Sequence, residues 1–196
     1  MVLTVYLFSA FLLLVASFVI FRIFVRRDYQ RKGRLTLRST TLESLIWGPY
    51  FGFPYIYNPS SWPAFWLPDR DLNPLLRYVG IVLIVVGLAL GFIAMASLGF
   101  RRSFGQEVNV LKQTGLYGLT RNPQIVLFSP LIFGIALRWP SWYALGWVVL
   151  FAAMAHMMVL TEEEHLRDIF GQEYVRYCQR VPRYIGVSRR VSNADA

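Results

Sequence analysis

The chain has 196 residues, 56% of them hydrophobic and 16% charged, with a formal net charge of +9. Soluble domains carry about 25% charged residues, so this much apolar surface needs lipid to face, and an ordinary soluble fold is excluded. The basic excess could suggest nucleic acid, but its placement excludes that partner too. Seven Lys/Arg lie between Arg22 and Arg38, four between Arg101 and Arg121, and six from Arg167 to Arg190, each block beside an apolar stretch, as in a rim facing anionic headgroups.

Residues 1–21, 78–100 and 139–161 contain no charged residue, and each is long enough for a spanning helix. The first helix is predicted over about 2–25. It lacks a basic leading region and a clear cleavage site, so it reads as a retained anchor. A second helix, about 41–57, carries Gly48 and Pro49 and should kink there. The loop after it holds Trp62 and Trp66, expected at headgroup level. The third helix, about 75–98, contains Gly87-Leu88-Ala89-Leu90-Gly91, a small-xxx-small pattern that admits a close neighbour. A polar connection over 99–121 follows. Helix four begins at Pro123, a residue suited to a first turn, and ends near Arg138. After the turn at 139–141, helix five covers about 142–160. The chain then becomes polar and should continue as a cytoplasmic helix to about Val181. The expected fold is all-α: about five crossings, amino terminus outside, all three basic blocks and the carboxyl terminus cytoplasmic. It divides into three amino-terminal helices with their loops (1–98) and a catalytic-type region (99–196).

Candidate chemistry concentrates at the inner end of helix five. Glu162, Glu163 and Glu164 are three of only eleven acidic residues. Thr161-x-x-Glu164 also fits a capping box, and Glu163 with Arg167 fits an i,i+4 pair. His156 is an ionisable group inside an apolar helix, which defaults to a functional question, although packing near the cytoplasmic end suits it slightly better. Glu162-x-x-His165 is half of a di-iron carboxylate motif without its second half, so no metal site is expected. Cys178 is the only cysteine, and no internal disulfide can form. Phe170, Tyr174, Tyr177 and Val181 share one helical face, as in an interfacial amphipathic helix.

Two segments together carry a resemblance. Gly115-Leu116-Tyr117-Gly118-Leu119-Thr120-Arg121-Asn122-Pro123 opens helix four. Glu162-Glu163-Glu164-His165-Leu166, Phe170-Gly171-Gln172-Glu173-Tyr174, Tyr177 and Arg180-Val181-Pro182 follow helix five, and Leu98-Gly99 with Ser103-Phe104 precede it all. This ordered set, over about 98–184, resembles the isoprenylcysteine carboxyl methyltransferase and phospholipid methyltransferase superfamily. The resemblance implies a transferase using S-adenosylmethionine, bound between the last two helices and the carboxyl-terminal segment. It implies cofactor contacts from Gly115, Tyr117, Arg121, Asn122, Pro123, Glu162 and Glu163, with Glu163 and Arg180 as the catalytic candidates. Asn122 stands where the family usually has histidine, so it can hydrogen-bond but cannot titrate near neutrality. Ile125 replaces a frequent tyrosine. The implied acceptor is lipophilic: a prenylated carboxylate, a phospholipid amine or a small thiol, reached from the membrane lipids. Two alternatives stay open. Tyr177-Cys178-Gln179-Arg180-Val181-Pro182 also resembles the tail of NADPH-dependent sterol reductases, and Asn122 is compatible with a scaffold that has lost activity. The sequence leaves the oligomeric state open.

Overall fold

The computed structural model describes residues 1–59, 73–98 and 110–186; the Trp62/Trp66 loop and the Ser103-Phe104 segment lie outside them. Among the described residues all regular structure is helical, and the chain is an all-α polytopic membrane protein. We number its helices α1 (Val2–Lys32), α2 (Leu37–Gly52), α3 (Pro74–Leu98), α4 (Pro123–Arg138) and α5 (Trp142–Arg180). α1, α3 and α5 are long and apolar enough to cross a membrane. α2 and α4 have 16 residues each, or about 24 Å at 1.5 Å per residue, short of the roughly 30 Å hydrocarbon layer. α2 begins four residues earlier than the hydrophobic pattern suggests, because Thr36 caps it by accepting from Ser39 N and Asp28 of α1 accepts from Thr36 N and the Ser39 hydroxyl.

α3 and α4 run antiparallel at close range. A Cβ at Gly87 would overlap the Leu131 backbone, one at Gly91 would sit 2.5 Å from the Phe128 ring, and one at Gly134 would sit 2.7 Å from Gly80 O. The small-residue pattern is therefore an internal contact, where dispersion between close backbones replaces the missing hydrophobic drive. α1 instead runs parallel to α5. Tyr6 Oη donates to Tyr143 O at one end (2.8 Å), and Arg22 pairs with Glu164 at the other (2.7 Å). α2 lies antiparallel to α5, where Tyr50 stacks on Trp147 at 4.9 Å and accepts from its indole N–H through a backbone oxygen. Between these contacts α1 widens into a π-helical stretch, Val19–Val25, which turns Arg22 toward α5.

α5 does not restart at Thr161. Its hydroxyl donates to Met157 O, one turn back in the same helix, so the capping-box reading fails because the helix never ends there. The helix is broken instead at Gly171, whose φ of +50° is a conformation that glycine adopts without a Cβ penalty. The break folds the terminal turns back so that Tyr174, Tyr177 and Val181 bury against Leu111, Leu166 and Phe170.

Candidate functional site

Three consecutive glutamates on α5 have three different surroundings, because residues i and i+1 on a helix project about 100° apart. Glu163 is the centre of the site. Its side chain is 6% exposed and is gripped from two directions. Arg121, just before α4, approaches Oε1 at 3.0 Å. Arg183, just after α5, donates from Nε to Oε1 and Oε2 at 3.0 and 3.1 Å and from Nη2 to Oε2 at 2.7 Å. This fork-on-carboxylate geometry is the strong form of an ion pair. Hydrogen bonding to Glu163 raises the Arg183 guanidinium above its ordinary range, against a smaller opposing effect of burial.

The approach to α4 and the carboxyl-terminal strap are clasped together around this pair. Arg121 N donates to Pro182 O (2.9 Å), while the Thr120 hydroxyl (3.1 Å) and Asn122 Nδ2 (3.0 Å) both donate to Arg183 O. Arg121 Nη1 also reaches Cys178 Sγ at 2.8 Å. One level out, Tyr177 Oη donates to Tyr117 O at 2.7 Å. Gly115, with φ +64°, starts the single turn Gly115–Gly118 that presents this segment. Pro123, buried at the first position of α4, then turns the chain into the helix.

Of the residues marked from sequence, Gly115, Tyr117, Arg121, Asn122, Pro123 and Glu163 therefore come together at one end of the bundle. Glu163 does not pair with Arg167. Asn122 spends its amide on the strap carbonyl rather than capping α4. Arg180 lies on the exposed side, where Nη2 donates to Gln113 Oε1 at 2.6 Å and Gln113 in turn donates to Glu173. The position beside Glu163 belongs to Arg183, which sequence reading passed over. Its only signal was its place one residue beyond Arg180-Val181-Pro182, where helical periodicity no longer says where a side chain lands.

Glu162 faces away from the clasp into a cavity of about 280 Å³ lined from all five helices. Glu43 of α2 lines the same space, with Tyr29, Gln124 and an apolar wall that includes Trp47, Phe128 and Phe151. Neither carboxylate has a hydrogen-bond or ion-pair partner among the described residues. Glu164 turns the third way, to Arg22 (2.7 Å) and Arg26 (2.9 Å) of α1. A second groove, about 370 Å³, runs between α4 and α5 and ends at His156 and Tyr184. Burial raises the Tyr184 phenol above its usual range, partly offset by Arg183. Among the described residues no group of three or more His, Cys, Asp or Glu side chains is arranged to hold a metal ion.

Comparison with known proteins fits this geometry. No curated protein and no solved structure matches the chain at significance. A family profile described as phospholipid methyltransferase matches residues 75–173, covering α3, the approach to α4, the helical hairpin and the glutamates, and just over half of the sequence. α1, α2 and the strap that carries Arg183 and Tyr184 lie outside the match. A membrane-embedded helical bundle, the G-x-Y to R-x-P approach segment and the acidic run on the last helix thus fall within one recognised unit, and the chain belongs to the phospholipid methyltransferase family.

Proposed function

We propose that the protein transfers a methyl group from S-adenosylmethionine to a lipophilic acceptor, with the donor held at the Arg121–Glu163–Arg183 cluster. The observation that carries this reading is the ion pair between the approach segment and the glutamate run, Arg121 to Glu163 at 3.0 Å. It joins the two motifs that lie 42 positions apart in the chain.

The residues present fit such a donor. Two guanidinium groups around one carboxylate leave a net positive charge. That suits the amino-acid end of the cofactor, whose carboxylate can take an arginine while its ammonium takes Glu163. Among the described residues Arg121 Nε and Gln124 Nε2 are buried donors without a partner, and unmet buried donors are costly unless a ligand satisfies them. Gly115, Tyr117, Asn122 and Pro123 would shape the same wall, Glu162 would contribute from the neighbouring cavity, and Arg180 would act from the outer edge near the acceptor. When bound, the donor supplies an electrophilic methyl on a sulfonium sulfur. The protein's part is then to position the acceptor and exclude water. The basic ends of α1 and of the approach segment support a cytoplasmic site, with the amino terminus outside. The division of the chain at about residue 98 serves this reading as a division of labour, with α1–α3 as scaffold.

The test is titration calorimetry of the purified protein with S-adenosylmethionine, followed by transfer of labelled methyl to a total membrane lipid extract. Glu163→Gln should weaken donor binding at least 10-fold. Binding of NADPH without binding of S-adenosylmethionine would replace the proposal with a reductase. Binding of neither would leave an inactive scaffold.

A further inference from the structure

His156 is not explained by the clasp. It lies on α5 seven residues, or about 10.5 Å along the axis, before Glu163 and on nearly the same helical face. The strap meets both positions in succession. Arg183 binds Glu163, and the next residue, Tyr184, places Oη 2.9 Å from His156 Nδ1. The other ring nitrogen, Nε2, has no hydrogen-bond partner among the described residues. His156 and Tyr184 close one end of the groove between α4 and α5, whose remaining walls include Ile125, Val126 and Phe133 of α4 and Val148 and Ala152 of α5. Among the described residues Ser129 is its only other polar lining, and none that line it carries a carboxylate, an ammonium or a guanidinium.

The groove's chemistry selects among acceptors. An ammonium or a carboxylate entering it would lose its hydration with no opposite charge among the described wall residues, a penalty of several kcal/mol. A neutral nucleophile on an alkyl chain meets no such penalty. A neutral acceptor must, however, lose a proton to gain a nucleophilic lone pair. A thiol, with an ordinary pKa of about 8.5, lies within range of an imidazole base, whereas an aliphatic alcohol does not.

We propose that the α4–α5 groove binds a lipophilic thiol and that His156 is its general base, standing in for the histidine that Asn122 replaces. This rests on the methyltransferase reading above. Nδ1–H donates to the Tyr184 oxygen, which fixes the tautomer and leaves the Nε2 lone pair for the acceptor. The acceptor S–H bond breaks with its proton passing to Nε2. The freed sulfur lone pair forms the new S–CH3 bond, and the electron pair of the donor's sulfonium–methyl bond stays with the donor sulfur. The products are a methyl thioether, S-adenosylhomocysteine and a proton, which His156 releases to water. Tyr184 is the positioning residue. The ionisable group at His156 is Tyr184 from the strap, with Glu163 two turns along the same helix; among the described residues α4 presents none to the groove.

The chain has only two histidines, so protein labelled with [15N]histidine gives separable imidazole signals, with His165→Gln providing the assignment. In lipid nanodiscs loaded with S-adenosylhomocysteine, decanethiol should shift the His156 signals and leave those of His165 in place. The free protein should show the Nδ1–H tautomer. With S-adenosylmethionine, His156→Gln should lower kcat for decanethiol methylation at least 100-fold while donor affinity stays within twofold. The residual rate should climb about tenfold per pH unit as free thiolate appears. Tyr184→Phe, a milder change on the strap, should lower kcat about 10-fold and abolish the tautomer preference. Unshifted histidine signals, wild-type turnover by His156→Gln, or preferential methylation of decylamine or decanoate would each overturn the thiol proposal. Failure of the wild-type protein to bind S-adenosylmethionine would instead remove the methyltransferase reading beneath it.

Discussion

Glu162 and Glu163 are neighbours in sequence and opposites in surroundings. Glu163 sits between Arg121 and Arg183, both recruited from chain segments that flank the last two helices. Glu162 shares a largely apolar cavity with another carboxylate, Glu43, and among the described residues no cation lines it. The first arrangement is a structural keystone. The second is an electrostatic liability unless something fills it. A carboxylate run on a helix thus says little by itself; the elements packed against each face decide what each member does.

The sharpest way to break this contrast is to remove Glu163. Glu163→Ala leaves two guanidinium groups facing each other, and loss of one partner of a buried ion pair typically costs about 3–5 kcal/mol. The lower end is expected, since the Arg183 side chain is 35% exposed. Thermal unfolding in detergent should drop by many degrees, and an unchanged midpoint would mean the clamp does not form. Next in size is Arg183→Ala, which removes a forked, charge-assisted interaction worth about 1–2 kcal/mol after allowance for that exposure. The strap beyond Pro182 should then be cut faster by an added protease. Arg180→Ala, on the exposed flank, should change stability by less than about 0.5 kcal/mol. Equal effects at the two positions would erase the distinction between them.

Glu162→Gln should go the other way. Removing a carboxylate that has no partner relieves desolvation and its repulsion with Glu43, so the protein should gain about 1 kcal/mol. The same melt would reveal the gain as a raised midpoint. A fall comparable to that of Glu163→Ala would show that a cation or an unseen partner neutralises the cavity.

Much of this is legible in the sequence. The charge-free stretches and basic blocks defined the helices, and Gly87 and Gly91 marked a close helix contact now seen against Leu131 and Phe128. Gly115, Tyr117, Arg121, Asn122, Pro123 and Glu163 were legible as a group because motif order survives folding. Arg183 was not, because it follows Pro182, where an extended strap has no period to extrapolate. Glu43 was hidden for a different reason. Nothing in the sequence tells which face of α2 will meet α5, so a single acidic residue in that helix could not be matched to Glu162 some 119 positions later. The continuity of α5 through Thr161 was misread because a capping box is only a start signal when the preceding turn is not already helical.

Glu164 supplies a small but the most discriminating effect. It is bound by two arginines, as Glu163 is, yet its side chain is 35% exposed and Arg26 is 46% exposed. Water competes for both partners, so the pairs should contribute only about 0.5–1 kcal/mol in total. Glu164→Gln should therefore lower the unfolding midpoint by a few degrees at low ionic strength. Because exposed charges are screened over about 10 Å at 0.1 M salt and far less distance at 1 M, the difference from wild type should vanish as salt is raised. The Glu163→Ala deficit should persist across the same series, since its ion pairs exclude solvent on the Arg121 side. If both deficits faded in parallel, burial would not be what separates these residues, and the keystone role of Glu163 would reduce to ordinary surface pairing.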